Sequence, residues 1–80
     1  MTRKELKKEV TRCYDEAVCT AQEVELDIPF PAKMKAWNWS SYGIRMELDL
    51  PTISMQIKTW EHPRKETINV MTDFLMMLID

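Results

Sequence analysis

Between Gly43 and Trp60 the chain reads GIRMELDLPTISMQIKTW, with an apolar residue at every second position of two runs. Ile44, Met46, Leu48 and Leu50 alternate with Arg45, Glu47 and Asp49. Beyond Pro51-Thr52, Ile53, Met55 and Ile57 alternate with Ser54, Gln56 and Lys58. Such period-two alternation marks a strand with one buried face. Folding the runs back at Pro51-Thr52 sets Leu50 opposite Ile53, Leu48 opposite Met55 and Met46 opposite Ile57. One register then places every apolar side chain on the same face, and a slip of one residue would invert them all. The sequence therefore predicts antiparallel strands over about 44–50 and 53–60.

The preceding segment, Ala32–Trp39, reads as a third strand over about 33–39, joined to the hairpin by the turn Ser40-Ser41-Tyr42-Gly43. Gly43, the only glycine, suits a left-handed position that closes a three-residue hairpin loop. This closure sets Trp39 opposite Arg45, Trp37 opposite Glu47 and Lys35 opposite Asp49. Met34 and Ala36 then join the buried face together with Asn38. Sliding the strand by one residue would instead bury Trp37 and Trp39 and turn Lys33 and Lys35 inward, so the first register is preferred. In it the outer sheet face collects Lys33, Lys35, Trp37, Trp39, Arg45, Lys58 and Trp60. Trp60 falls beside Gly43, and Arg45 falls between Trp39 and Trp60, an arrangement suited to cation–π contact.

Helices are expected on both sides of the strands. Thr2-Arg3-Lys4-Glu5 has the form of a capping box. Leu6, Val10, Cys13, Ala17, Ala21 and Val24 follow at spacings of three and four, predicting one helix over about 3–24. Its basic residues come first and its acids later, against the helix dipole, with pairs such as Arg12–Glu16 expected to stitch a solvated face. LDIPFP at 26–31 is a connector in which Phe30 plugs one end of the core. Pro63 opens a second helix over about 63–79, at a position where its missing N–H costs nothing. Ile68, Met71, Leu75 and Leu78 form the inner stripe, widened by Val70, Phe74, Met77 and Ile79. Lys65, Glu66, Asn69, Thr72 and Asp73 mark the wet side, and Met76 lies on it.

The predicted architecture is thus α+β: one small domain over 1–80, a two-layer sandwich in α-β-β-β-α order. It has a three-stranded antiparallel meander with both helices on one face, the simplest cover for every apolar stripe. That element order is also the order of double-stranded RNA-binding domains. Arg64-Lys65 resembles the basic start of their second helix, but the glycine-bearing loop and longer lysine run of that family are absent here.

Chemistry is sparse. His62 is the only histidine, Cys13 and Cys19 sit on different sides of one predicted helix, and no HExxH, P-loop, dinucleotide or EF-hand pattern occurs. Glu47 and Asp49 share the outer strand face as solubility charges. The reading is non-enzymatic, with no catalytic residue, cofactor or metal site. Two cysteines too far apart along a helix for a disulfide are expected as thiols in a reducing cytoplasm. The first residues carry no apolar core of a secretory signal, and no run approaches a membrane span.

A net charge of −2 argues against a surface given over wholly to nucleic acid. The leading expectation is a cytoplasmic protein-binding module that acts as an inhibitor, adaptor or regulator of a partner protein. It would dock through Trp37, Trp39, Arg45, Lys58 and Trp60, or through Met76 and Met77, which also suit self-association into a homodimer. A small, mildly acidic, motif-free chain has the general look of phage or mobile-element accessory proteins. The alternative expectation is RNA or single-stranded nucleic-acid binding by Lys33, Lys35, Trp39, Arg45, Arg64 and Lys65, with bases stacked on the aromatic rings.

Overall fold

The hairpin forms in the register that its alternation dictates: Met46 pairs with Ile57 and Leu48 with Met55, and the Leu50 N–H donates to the Ile53 carbonyl at 2.9 Å. The computed structural model describes residues 1–40 and 43–79, with the side chains of 38–40 outside the described set. In chain order the elements are α1 (Arg3–Thr20), β1 (Val24–Glu25), β2 (Lys33–Ser40), β3 (Gly43–Asp49), β4 (Ser54–Lys58) and α2 (Arg64–Ile79). The strands form one antiparallel sheet in the order β1-β2-β3-β4. The class is α+β, with a four-stranded sheet where three strands were expected, so the order also departs from that of double-stranded RNA-binding domains.

The additional strand comes from the expected end of the first helix. The capping box forms, with Thr2 Oγ1 accepting from the Glu5 N–H and Glu5 Oε1 from the Thr2 N–H, but α1 stops at Thr20 rather than near 24. Ala21 takes the left-handed conformation (φ 56°), and its N–H closes the last turn on the Ala17 carbonyl. Val24 then pairs with Met34, and the Leu26 N–H donates to the Ala32 carbonyl. Val24 and Leu26 alternate with Glu25 and Asp27, so these residues also satisfy a period of two. Pairing with a free sheet edge satisfies backbone groups that a fraying helix end would leave to water.

Between β2 and β3 the faces are those expected but the pairing is displaced. Trp37 lies opposite Arg45, Lys35 opposite Glu47 and Lys33 opposite Asp49, with an irregularity between Asn38 and Ser40. Ser40 pairs with Gly43; the intervening Ser41 and Tyr42 of the expected turn lie outside the described residues. An even displacement keeps every side chain on its face, so hydrophobicity alone does not choose between the registers. The observed register aligns Glu25, Lys33 and Asp49 across three strands and sets Lys35 against Glu47. The side chains themselves turn elsewhere: Lys33 pairs with Glu23 at 3.6 Å and Lys35 lies over the Trp37 ring.

One buried cluster joins the layers. Leu6, Val10, Cys13 and Ala17 of α1 and Ile68, Met71 and Leu75 of α2 share it with Val24, Met34, Ala36, Met46, Leu48 and Ile57 of the sheet. The helices run antiparallel, tied at both ends: Arg3 binds Asp73 at 2.9 Å, and Arg64 grips Asp15 through two bonds of 3.0 and 2.7 Å. The buried arc of α2 is turned from the one expected. Thr72 is fully buried and Met76 half-buried, whereas Leu78 is exposed. Burial of Thr72 is tolerated because its hydroxyl donates to the Ile68 carbonyl at 2.7 Å, leaving only its methyl to pack.

Glu9 fastens α1 to the segment after β1. Its carboxylate accepts from the Asp27 N–H at 2.6 Å and from Arg12 at 2.8 Å. Arg12, and then the Asp27 N–H, hold it below the ordinary carboxylate range. Arg12 also reaches Glu16 at 3.0 Å. Cys13 is buried and Cys19 exposed, both as thiols. Burial, reinforced by Glu9, pushes the Cys13 thiol up to about 11.

Two predictions follow from this packing. Replacing Ala21 with Gly removes the left-handed penalty of a β-carbon and should raise unfolding free energy in urea by about 0.5–1 kcal/mol. A thiol whose pKa is raised in the folded state stabilises below its unfolded value and loses that contribution as pH rises. The melting temperature should therefore decline as pH climbs from 9 toward 11, the window of Cys13, with a shallower decline in Cys13→Ala.

Candidate functional site

The outer sheet face is built by alternation. Because Met46, Leu48 and Ile57 point into the core, their neighbours Arg45, Glu47, Gln56 and Lys58 must point out. The same holds on β2 for Lys33, Lys35 and Trp37, set between Ala32, Met34 and Ala36. Trp37 is 38% and Trp60 37% exposed, so the register that would have buried Trp37 is not adopted.

Trp37 is held from several sides. Its indole N–H donates to Glu47 Oε2 at 3.2 Å, Lys35 Nζ lies 3.9 Å from its ring centre, and the Arg45 guanidinium lies 5.7 Å from it. Gln56 links the two charged neighbours, accepting from Arg45 at 3.2 Å and donating to Glu47 Oε1 at 2.9 Å. The ring is thereby held in one orientation. The expected placement of Arg45 between Trp39 and Trp60 is corrected by the pairing, which sets Arg45 opposite Trp37; the Trp39 side chain lies outside the described residues.

Arg45 is also directly opposite Lys58 on β4. The bonds Leu50 N–H to Ile53 and Thr59 N–H to Ile44 fix the phase of this ladder. They put Arg45 and Lys58 in a non-hydrogen-bonded pair, the closer of the two cross-strand positions. Like charges there repel. Lys58 leans toward Trp60, its Nζ 5.9 Å from the ring centre. Trp60 in turn covers Gly43: a β-carbon on Gly43 would lie 3.3 Å from Trp60 Cε3 and 2.9 Å from Thr59 Oγ1. Gly43 has φ +154°, so both its backbone and its neighbours demand glycine. Thr59 Oγ1 additionally accepts from the Ile44 N–H at 3.1 Å, which seats the turn carrying Trp60.

The other predicted residues do not converge on this face. Met76 is half-buried against the core, and Met77, 77% exposed, lies on the helical layer. Arg64 is engaged with Asp15 and stacks near Tyr14; it and Lys65 open α2, away from Lys33, Lys35 and Arg45. Lys33 is paired with Glu23 at 3.6 Å. His62 bonds Glu66 at 2.9 Å, and its carbonyl accepts from the Thr67 hydroxyl, so it acts as a helix-start residue. Among the described residues no group of His, Cys, Asp or Glu is placed to hold a metal ion, and no helix is long and apolar enough to cross a membrane. The role of Glu47 in fixing Trp37 was missed because Glu47 was read as a solubility charge, although the expected register already set it opposite Trp37.

Comparison with protein-family models, with curated proteins and with solved structures found no match.

Substituting Gly43 with Ala should cost about 1–3 kcal/mol, the scale of a strained backbone position. It should also displace Trp60, read as a shift in tryptophan emission together with a lower urea midpoint.

Proposed function

We propose that this chain is a non-enzymatic protein-binding module that inhibits, adapts or regulates a partner by docking it on the outer sheet face. The observation that carries this reading is the juxtaposition of Arg45 with Lys58, flanked by the exposed rings of Trp37 and Trp60. Two cations at facing positions on a sheet repel one another, and a carboxylate from a partner set between them would relieve that repulsion. Trp and Arg are the residue types that most often anchor protein interfaces, because they bring large area and directed bonds with little loss of freedom. Here the ordering of Trp37 by Glu47, and of Arg45 by Gln56, reduces the entropy lost on docking. The partner surface that fits is an apolar patch bearing one or more acidic side chains.

Glu47 and Asp49 favour this reading over nucleic-acid binding. They interleave with the cations along the same face, where a phosphate backbone would meet them in register, whereas a protein partner can present groups of both signs.

The test is capture of a partner from native lysate by immobilised chain, followed by titration with the purified partner. Trp37→Ala or Trp60→Ala should weaken binding about thirtyfold, the effect of losing about 2 kcal/mol, with circular dichroism unchanged. Capture of the same partner at the same affinity by both variants would remove the face from the interaction. Tryptophan quenching by an oligonucleotide at low salt, lost steeply as salt rises, would favour nucleic acid instead.

A further inference from the structure

The sheet order leaves two edges, and they are not equivalent. The β1 edge is only two residues long and is followed by Pro29 and Pro31, so it is blunted in the way natural edge strands are. The β4 edge runs for five residues, Ser54–Lys58, without proline and with Lys58 as its one charge. The ladder phase established above turns Ile53, Met55, Ile57 and Thr59 toward β3. Ser54 and Gln56 therefore aim both their N–H and their C=O groups away from it, as Lys58 does its N–H. The Lys58 carbonyl already accepts from Glu61 at 3.1 Å and from His62 at 3.0 Å.

We propose that β4 pairs antiparallel with β4 of a second copy of this chain, about a two-fold axis through Met55, so that the two sheets continue into one. In this register Ser54 exchanges both backbone hydrogen bonds with Gln56 of the partner copy, and Met55 packs against its own mate. Ile53 lies opposite Ile57 of the copy on the apolar face. The alternative register, centred on Gln56, would need the occupied Lys58 carbonyl to accept a further bond.

Self-pairing is favoured over a foreign strand by charge and by cover. Along the outer face Ser54 meets Gln56 and Lys58 meets Thr52, so no like charges are opposed, which is the condition for a strand to pair with itself. On the inner side Ile53 is 50% and Leu78 48% exposed. They share a cleft of about 240 Å³ with Phe30, Leu50 and Pro51, and the mate's Ile57 extends the apolar surface at Ile53. This interface uses backbone groups and the inner apolar rim rather than the aromatic side chains of the outer face, so either proposal can fail without the other.

Light scattering over about a thousandfold range of concentration should show the mass rising from 9.5 kDa toward twice that value. Amide exchange at Ser54 and Gln56 should slow at least about tenfold between the two ends of that range. Ser54→Pro removes an outward N–H without touching the β3 ladder, at the start of a strand where proline is tolerated. It should stay monomeric with unchanged circular dichroism. A mass of 9.5 kDa throughout would overturn the proposal, as would a dimer in which Ser54 and Gln56 still exchange freely. A folded Ser54→Pro chain that still dimerises would overturn it equally. If that variant does not fold, the exchange pattern of the unmodified chain decides.

Discussion

Cross-strand pairing of Met34, Leu48 and Met55, with Val24 beside Met34, is the interaction on which the remainder of the structure depends. This row crosses all four strands on the inner face, and Ala36, Met46 and Ile57 form a second row beside it. Fully burying one large aliphatic side chain is worth about 1.5–3 kcal/mol, so the rows fix which face of the sheet the helices must cover. They also fix what the other face displays. With Leu48 and Met46 inward, Glu47 and Arg45 have no choice but to point outward, and Trp37 follows from Ala36.

The outer face is consequently a derived surface whose character depends on the register. Hydrophobic burial is indifferent to a displacement of two residues between β2 and β3, because it preserves the faces. In the observed register Lys33 stands opposite Glu25 and Asp49, and Lys35 opposite Glu47, while the side chains engage Glu23 and the Trp37 ring; exposed contacts of this kind are individually weak. That register places Arg45 against Trp37 on one side and against Lys58 on the other. The same sheet thus sets unlike charges opposite one another at one end and two cations opposite one another at the other.

Legibility in the sequence followed this hierarchy. The β3–β4 pairing could be read directly, because a single short connection leaves one register that satisfies three apolar pairs. The capping box of α1 and the start of α2 near Pro63 were readable from local chemistry, and so was the cover of Gly43 by Trp60. The stop at Ala21 was not, since Ala21 and Val24 continue the helical spacing, and only the availability of the β2 edge gives Val24 a better partner. Nor was the rotation of α2, because a polar residue such as Thr72 is buried only when its hydroxyl finds the carbonyl one turn back. The β2 register was misread because it was inferred from a regular turn, whereas the ladder carries an irregularity between Asn38 and Ser40 that alternation does not reveal.

The two surfaces differ in the groups that they spend and in how each would respond to the other. The docking proposed for the outer face would use side chains of β2, β3 and β4, whereas the β4 edge offers backbone groups and an inner apolar rim. A two-fold axis through Met55 runs perpendicular to the sheet, since Met55 would face its own mate across the new ladder. Such an axis keeps both outer faces on the same side of the joined sheet. Trp37, Arg45, Lys58 and Trp60 would then occur twice on one continuous surface, open to a partner with repeated acidic patches. Effective concentration, rather than any new contact, would strengthen that engagement, so a pairing that alters no residue of the outer face would still govern how tightly the face binds.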